Sequence, residues 1–267
     1  MRIETSHESP ISILDKSVEY NDYAYALVHL FEEREEYYDF FKRAKSKGIE
    51  VYLDNSIFEL KESFDPDKYA EWIEKLQPNL YIVPDVLENG EETVHNWLKW
   101  EESHKNDFTN LTKMGVVQGR SWFELAECYR FMSSAADMIA ISFDYGYYQG
   151  TGFGYDELER FCSGRQRFIQ QLIHEGMWNW NKPHHLLGCS LAREFSFYVN
   201  HNVYNIKSID TSNPVVAAMH DLQYNDVHGL KTKPSALLAD MIDHEMTDDQ
   251  IELVDYNTKM FKKIISR

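Results

Sequence analysis

Short apolar runs alternate with amphipathic segments along this chain. Four of the apolar runs are rich in Val, Ile, Leu and Tyr and stop at an aspartate, namely Asp54, Asp85, Asp144 and Asp210. Buried parallel strands read as continuous apolar runs, whereas the intervening segments carry apolar residues at the three- and four-residue spacing of helices. The pattern therefore predicts alternating strands and helices, with a carboxylate at the end of four strands.

The sequence predicts eight strands. They are Ile11–Leu14 (with Arg2–Thr5 as the alternative first strand), Tyr25–Phe31, Glu50–Asp54, Leu80–Asp85, Lys113–Gln118, Met138–Phe143, His185–Cys189 and Asn205–Ile209. Eight strands separated by helices are the number that closes a (β/α)8 TIM barrel. We therefore expect an α/β fold and a single domain over residues 1–267, with a helical tail over 222–267. An open doubly wound sheet is the alternative, but its usual Gly-rich phosphate loop does not follow the first strand.

Three polar positions mark where helices should begin. Asp65 stands before Pro66, Ser121 stands before an amphipathic segment, and Asn213 stands before Pro214. Asp, Ser and Asn are preferred helix caps, and proline is favoured in the first helical turn. The stretch 145–154 differs, because it is rich in glycine and tyrosine. It is either a lid or base-stacking loop over the active face, or an ordinary loop that packs its tyrosines on a neighbour.

The charge limits the kind of partner. The 44 acidic and 27 basic residues give a formal net charge of −17, which argues against a uniformly basic surface for nucleic acid. A nucleic-acid substrate would have to meet a local basic patch or be delivered by a basic partner. The candidate patches are 42–47, Lys231 with Lys233, and Lys259, Lys262, Lys263 and Arg267. The alternative is that these are simply exposed helix ends and a frayed tail.

Cysteine and histidine positions predict no metal site. The three cysteines, Cys128, Cys162 and Cys189, lie far apart, which indicates neither a disulfide framework nor a thiolate zinc site. His184 and His185 are expected to precede a strand rather than end one, so we interpret them as non-ligands. No signal peptide and no membrane span are predicted. We expect a cytoplasmic protein that uses no metal and no redox cofactor.

Strand-end carboxylates suit divalent-cation binding, acid/base catalysis or nucleophilic attack on a sugar carbon. Asp210 precedes hydroxyl and amide side chains that would keep it ionised and nucleophilic, although it could instead cap the next helix. Asp54 and Asp85 could accept hydrogen bonds from a purine-like edge, and the amide of Gln118, before Gly119, could both donate and accept. The alternative for each is local capping.

Taken in order, five segments resemble the tRNA-guanine transglycosylase superfamily. They are Asp54-Asn-Ser-Ile-Phe58, Pro84-Asp85, Gly115-Val-Val-Gln-Gly119, Leu187-Gly-Cys-Ser190 and Ser208-Ile-Asp210. The resemblance covers roughly residues 50 to 214, and its specificity comes from order and spacing. It implies that Asp210 is the nucleophile, that Asp54 is the general acid/base, and that Asp85 and Gln118 hold the base while Gly119 allows close approach.

Two departures from the family's pattern refine the expected substrate. The segment Ile139-Ala-Ile-Ser-Phe-Asp144 replaces the family's Gly-Gly-Leu-Ala-Val-Gly, which places Ser142 and Asp144 among the expected base contacts. The family's zinc site of three cysteines and a histidine has no counterpart. The resemblance is therefore to the compact branch of phages and genomic islands, which exchanges guanine in DNA for a 7-deazaguanine.

The implied activity is that of a pentosyltransferase, with DNA favoured over tRNA and a free 7-deazaguanine base as the second substrate. If phage-encoded, it would act in the host cytoplasm, with a homodimer or a partner protein left open. Three alternatives stay open. Water could resolve the same covalent ester, giving a DNA glycosylase or nucleoside hydrolase; the four aspartates could ring a Mg²⁺ ion; or the barrel could be an inactive partner-binding subunit.

Overall fold

A computed structural model describes residues 2–104, 106–143, 145–189, 191–230 and 241–266. The strands are β1 (Glu4–Ser6), β2 (Ala24–Leu27), β3 (Val51–Asp54), β4 (Leu80–Ile82), β5 (Thr112–Val117), β6 (Met138–Ile141), β7 (His184–Leu186) and β8 (Ile206–Asp210). A 3₁₀ helix over Ile11–Lys16 leads into the first α-helix. The α-helices are α1 (Ser17–Tyr20), α2 (Val28–Glu33), α3 (Glu35–Ser46), α4 (Ile57–Leu60), α5 (Pro66–Leu76), α6 (Gly90–Ser103), α7 (Trp122–Ala135), α8 (Gly146–Thr151), α9 (Glu157–His174), α10 (Glu194–Asn200), α11 (Asn213–Met219) and α12 (Asp248–Ile265).

The eight strands belong to one sheet with the order β1-β8-β7-β6-β5-β4-β3-β2. Their pairing is parallel, with register pairs such as Leu53 with Tyr81 and Ser6 with Asp210. The two ends of this order, β1 and β2, are the consecutive strands at which a (β/α)8 barrel closes. The predicted TIM-barrel fold is therefore confirmed.

Strand boundaries differ from the prediction at several places. Strands β4 and β7 end at Ile82 and Leu186, before the predicted ends at Asp85 and Cys189. The predicted first strand Ile11–Leu14 is wrong, because these residues form the 3₁₀ helix, and the alternative Arg2–Thr5 overlaps β1. Strand β2 stops at Leu27 and α2 follows at once, since a buried helix and a buried strand give the same apolar run. His184 and His185 lie within β7 and do not precede it.

Two of the three predicted caps are confirmed, and the third differs, because Ser212 and not Asn213 is the N-cap of α11. Asp65 caps α5 by accepting a 2.9 Å hydrogen bond from the Lys68 amide, and Ser121 caps α7 through the Glu124 amide at 3.2 Å. Helix α11 begins at Asn213 with proline in its first turn.

No helix in the described part of the chain has the length and hydropathy needed to cross a membrane.

The chain divides into two compact units. The first unit comprises residues 1–22, 143–178 and 185–267, and the second unit comprises residues 23–142 and 179–184. In the first unit, Val215, Val216 and Met219 of α11 belong to the same buried cluster as Val254 of α12. In the second unit, the core includes the fully buried Leu53, Met114 and Ala140 of the strands.

Residues 222–267 include one long helix. Helix α12 carries the cap Thr247, whose hydroxyl accepts from the Gln250 amide while the Gln250 side chain accepts from the Thr247 amide. Such a reciprocal capping box satisfies amides at the helix start that would otherwise lack partners. Before α12, residues 222–230 form turns closed by a bridge between Asn225 and Gly229.

Candidate active site

The predicted site residues lie where strands end. Asp54 is the last residue of β3, Asp85 follows β4, Gln118 directly follows β5, and Asp210 is the last residue of β8. The carboxyl ends of the strands are where (β/α)8 barrels carry their catalytic groups. Ser142 directly follows β6 and is buried, whereas Asp144 lies outside the described residues. Asp54, Asp85, Gln118, Gly119 and Ser142 belong to the second unit, and Asp210 belongs to the first.

Asp85 and Gln118 contact each other in the second unit. The Gln118 amide nitrogen donates to one Asp85 carboxylate oxygen at 2.5 Å, and the Asn55 amide nitrogen donates to the other at 2.7 Å. All three side chains are buried. The structure thus brings together the two groups predicted to hold a base, and it adds Asn55 to them.

Burial sets the electrostatics of Asp85. Burial raises the pKa of Asp85 above the ordinary aspartate value of 3.8, and the hydrogen bonds from Asn55 and Gln118 offset part of this rise. Each carboxylate oxygen has two lone pairs and receives one of these amide hydrogen bonds. Asp85 therefore keeps acceptor capacity on both oxygens while its position is fixed.

Gln118 and Gly119 also make contacts that support the local structure. The carbonyl oxygen of the Gln118 side chain accepts from the Glu88 amide at 2.7 Å, which fixes the direction in which the side-chain amide points. A Cβ at Gly119 would lie 2.8 Å from the Glu124 Cβ and from the Leu125 backbone nitrogen. The backbone of Gly119, with φ of 155°, therefore approaches helix α7 closely, and this contact alone requires glycine.

Asp54 is fixed by partners on both sides of its carboxylate. The Tyr25 hydroxyl donates to one oxygen at 2.5 Å, and the Ser56 backbone amide donates to the other. The second contact is a local turn, and Ser56 has a left-handed φ of 60°. Asp54 is thus both a turn-forming residue and a partly exposed carboxylate hydrogen-bonded to a phenol, a group able to donate or accept a proton.

In the first unit, Asp210 is contacted by His185 of β7 and by the turn that follows β7. His185 Nε2 lies 2.8 Å from Asp210 Oδ1, and the Gly188 amide lies 3.3 and 3.4 Å from Oδ1 and Oδ2. The side chain of Asp210 does not cap α11, whose N-cap is Ser212. Of the polar side chains that follow Asp210, the Thr211 hydroxyl donates to the Cys189 carbonyl, and the Asn213 side-chain oxygen accepts from Tyr224.

His185 links Asp210 to a second buried hydroxyl. Its Nδ1 lies 2.8 Å from Ser208 Oγ, and both residues are fully buried. Either ring nitrogen of His185 can be the donor or the acceptor in these two contacts, depending on the tautomer. The order Ser208, His185, Asp210 resembles a hydrolase triad, but Asp210, with 10 % of its side chain exposed, is the accessible member.

A buried ion pair holds the turn that carries the Gly188 amide. The Arg165 guanidinium makes two 2.8 Å hydrogen bonds to Glu194 and donates to the carbonyls of Leu187 at 2.9 Å and Gly188 at 3.0 Å. The side chains of Arg165 and Glu194 are both fully buried. The Leu187 carbonyl and the Gly188 amide form one planar trans peptide, so they point in opposite directions. By binding the carbonyl, Arg165 directs the amide hydrogen toward Asp210.

Three functional residues escaped the sequence analysis. Asn55 lies inside a motif that carried the resemblance, but only the structure shows its contact with Asp85. His185 was interpreted only as a non-ligand, and Arg165 carried no signal at all. The sequence does hold one clue for His185, because it is a polar residue in a predicted strand. A buried polar group without a hydrogen bond is unfavourable, so His185 should have a polar partner.

The tyrosine-rich stretch 145–154 is packed. Tyr145 is 3 % exposed and stacks on the fully buried Tyr148, which contacts Phe168 of α9. A Cβ on Gly164 would lie 2.0 Å from the Tyr148 carbonyl, so α8 and α9 touch through their backbones. The stretch predicted as a loop thus contains helix α8, and of its aromatic residues Tyr145 and Tyr148 are packed whereas Phe153 is exposed.

The predicted basic patches are only partly described. Lys42, Arg43 and Lys47 are exposed at the end of α3, while Lys262 pairs with Asp22 at 3.1 Å. Lys231, Lys233 and Arg267 lie outside the described residues.

Among the residues that the structure describes, no group of three or more His, Cys, Asp or Glu side chains is placed to hold a metal ion. No model of a known protein family matches the chain, and neither does any curated protein sequence.

Proposed function

We propose that the protein is a guanine transglycosylase that exchanges guanine in a nucleic acid for a 7-deazaguanine base through a covalent aspartyl sugar. One observation carries the proposal: Asp210, at the end of β8, takes its hydrogen bonds from His185 and the Gly188 amide and caps no helix. Among the residues that the structure describes, Oδ1 is contacted by His185 at 2.8 Å and by the Gly188 amide at 3.3 Å, whereas Oδ2 is contacted by the Gly188 amide alone, at 3.4 Å. Oδ2 is therefore the oxygen best placed to act as a nucleophile.

The proposed first half-reaction forms a sugar ester. Asp210 Oδ2 attacks C1′ of the nucleotide, and the bond from C1′ to the guanine nitrogen breaks. The bonding electron pair leaves with guanine, which takes a proton from the acid form of Asp54. The transition state has oxocarbenium character, as in other glycosyl transfers through carboxylates. His185 and the Gly188 amide fix the carboxylate for attack along one direction.

The second half-reaction reverses these steps with a new base. Ionised Asp54 removes a proton from the incoming 7-deazaguanine, whose nitrogen attacks C1′ and displaces Asp210. Two inversions give net retention at C1′. In this proposal Asp85 accepts hydrogen bonds from the donor edge of the base, with Gln118 beside it. Ser142 and Asp144 are further base contacts. Gly119 has no side chain, so the base can approach the backbone closely there.

DNA is proposed ahead of tRNA as the polymer. The family resemblance supports this order, because the tRNA enzymes carry a zinc site of three cysteines and a histidine. Cys128, Cys162 and Cys189 are buried free thiols, and no such spacing exists in the sequence. A nucleotide in a duplex must be flipped before C1′ and the base can be reached, and flipping is easiest in single strands or mismatches.

The test is to trap the ester. A guanine-containing oligonucleotide, offered as DNA or as RNA, should shift the protein on a denaturing gel, and Asp210→Asn should abolish the shift. Asp249→Asn, an exposed aspartate in the first turn of α12, is the matched control and should retain it. A folded Asp210→Asn protein that still forms the adduct would refute the proposal.

Labelled guanine then separates exchange from hydrolysis. Label that enters the polymer supports base exchange, whereas free guanine with abasic sites would make the protein a glycosylase that uses the same aspartate. Activity that disappears with a strong chelator and returns with Mg²⁺ would favour metal-assisted chemistry. A well-folded protein that forms no adduct with either polymer would favour the inactive, partner-binding barrel.

A further inference from the structure

Ser6, the last residue of β1, has an unsatisfied buried hydroxyl. Ser6 is 1 % exposed, and its Oγ finds no hydrogen-bond partner among the residues that the structure describes. Hydroxyls buried nearby in the same unit differ, because Ser9 donates to the His7 carbonyl at 3.1 Å and Thr211 donates to the Cys189 carbonyl at 2.7 Å. Native proteins seldom leave a buried hydroxyl unpaired, so Ser6 calls for a specific reason.

The register of the sheet places this hydroxyl beside Asp210. Strands β1 and β8 pair in parallel with Ser6 opposite Asp210. Paired residues of neighbouring strands lie about 4.8 Å apart and point to the same face. Thr5 points to the opposite face, where its hydroxyl bonds to Asp22 at 3.2 Å. The Ser6 hydroxyl therefore lies on the face that carries the proposed nucleophile.

A bound substrate offers the missing partner. We propose that Ser6 hydrogen-bonds to an oxygen of the sugar whose C1′ Asp210 attacks; this inference rests on the proposed function. A sugar held at bonding distance from Asp210 brings its ring oxygen and hydroxyl oxygens next to the neighbouring strand end. A serine hydroxyl can donate to a ring oxygen and can donate to or accept from a hydroxyl. Ser6 is thus a substrate-binding residue of the first unit.

The experiment compares Ser6→Ala with Ser9→Ala, a matched removal of a buried and satisfied hydroxyl three positions along the chain. Ser6→Ala should raise the melting temperature by about 2 °C, because it removes an unpaired polar group. It should also weaken binding of guanosine or 2′-deoxyguanosine to the Asp210→Asn protein about fivefold, the size of one neutral hydrogen bond. Ser9→Ala should lower the melting temperature and leave nucleoside binding unchanged.

The two nucleosides distinguish which sugar oxygen is used. A loss confined to guanosine assigns Ser6 to the 2′-hydroxyl, and equal losses assign it to an oxygen that both sugars share. Unchanged binding of both nucleosides by Ser6→Ala would overturn the inference even if the wild-type protein forms the covalent adduct. If Ser6→Ala weakens nucleoside binding but the wild-type protein forms no adduct, the proposed function is overturned and the contact between Ser6 and the sugar is supported. A wild-type protein that binds neither nucleoside overturns both.

Discussion

Two aspartates at strand ends, Asp85 in the second unit and Asp210 in the first, have opposite surroundings. Asp85 is 1 % exposed, and side-chain amides donate to both of its oxygens. Asp210 keeps 10 % of its side chain exposed, and it is contacted by the His185 imidazole at one oxygen and by the Gly188 main-chain amide, which lies near both oxygens. Burial raises the pKa of Asp85, so a charge there needs compensation from bound donors.

In the proposed function, this difference separates recognition from chemistry. A carboxylate enclosed by fixed amides has both oxygens oriented, which suits hydrogen bonding to the edge of a base. A carboxylate that keeps some exposure suits attack on carbon. The proposal thus gives the same residue type different roles according to its neighbours, as environment sets the roles of paired carboxylates in enzymes.

Among the replacements that leave Asp210 in place, that of Asp85 is expected to have the largest effect. In Asp85→Asn, one oxygen becomes an amide donor that faces the donating amides of Asn55 and Gln118, and acceptors for the base are lost. The KM for guanine or 7-deazaguanine should rise about 100-fold, as expected for two hydrogen bonds to a charged group. Covalent adduct should still form at saturating substrate, in contrast to Asp210→Asn, which should form none.

The control for this comparison is Asp65→Asn in the same unit, because asparagine caps helices as well as aspartate does. Its steady-state constants should match those of the wild-type protein. If folded Asp85→Asn forms no adduct at any substrate concentration, the assignment of base binding to Asp85 and of ester formation to Asp210 alone is contradicted.

A smaller effect is expected from Arg165→Lys. Lysine keeps the charge opposite Glu194 but cannot span the carboxylate and the carbonyls of Leu187 and Gly188 together. The peptide that donates to Asp210 would lose its fixed direction. We expect kcat to fall about 20-fold with KM nearly unchanged, measured well below the melting temperature of the variant.

The half-exposed pair of Arg193 and Glu159 provides the control, since Arg193→Lys should alter neither constant appreciably. A rise in KM equal to the fall in kcat/KM for Arg165→Lys would indicate general loosening of the first unit. It would contradict a role for Arg165 in positioning Asp210.

The smallest effect concerns acid stability and compares one histidine from each unit. Burial lowers the pKa of His7 in the first unit to about 4 and that of His184 in the second to about 3. The unfolded chain takes up these protons near pH 6.5 and the folded chain does not, so stability falls as pH drops below 6.5. Each histidine should remove about 1 kcal/mol per pH unit from the free energy of unfolding.

Chemical denaturation at pH 7 and pH 5.5 measures this slope, and His7→Gln and His184→Gln should each remove part of it. Asp85 acts with the opposite sign, because a raised folded pKa adds stability as pH falls through it. A slope that both variants leave intact would show that neither imidazole remains neutral in the folded protein.

The sequence predicted the strands best where they are buried on both faces. Strands β3, β5 and β6 are apolar runs, and each was found within a residue or two of its ends. Strand β1 is only Glu4–Ser6, with an exposed first residue and no apolar side chain, so it gives no run to detect. Strand β2 runs directly into α2, and burial of both elements hides the boundary.

The candidate site was predicted only as far as each strand carries its own residues. Asp54, Asp85, Gln118 and Asp210 were found because strand ends can be located from the apolar runs. Their partners depend on the register between strands, as for His185 with Asp210, or on a distant helix, as for Arg165. No local pattern encodes which side chains meet across twenty or more residues, so these contacts required the structure.

The hydrogen that Gly188 offers to Asp210 belongs to the main chain, so proline is the one ordinary replacement that deletes it, and the φ of about −65° that proline requires does not fit this turn. Alanine scanning would thus pass over this contact, whereas a backbone ester at position 188, which exchanges the nitrogen for oxygen, would remove it without changing the side chain. The left-handed φ of 65° further restricts what that position accepts. We therefore expect the backbone conformation to limit natural substitutions at position 188. Neighbouring side chains can change while the main-chain donor is kept.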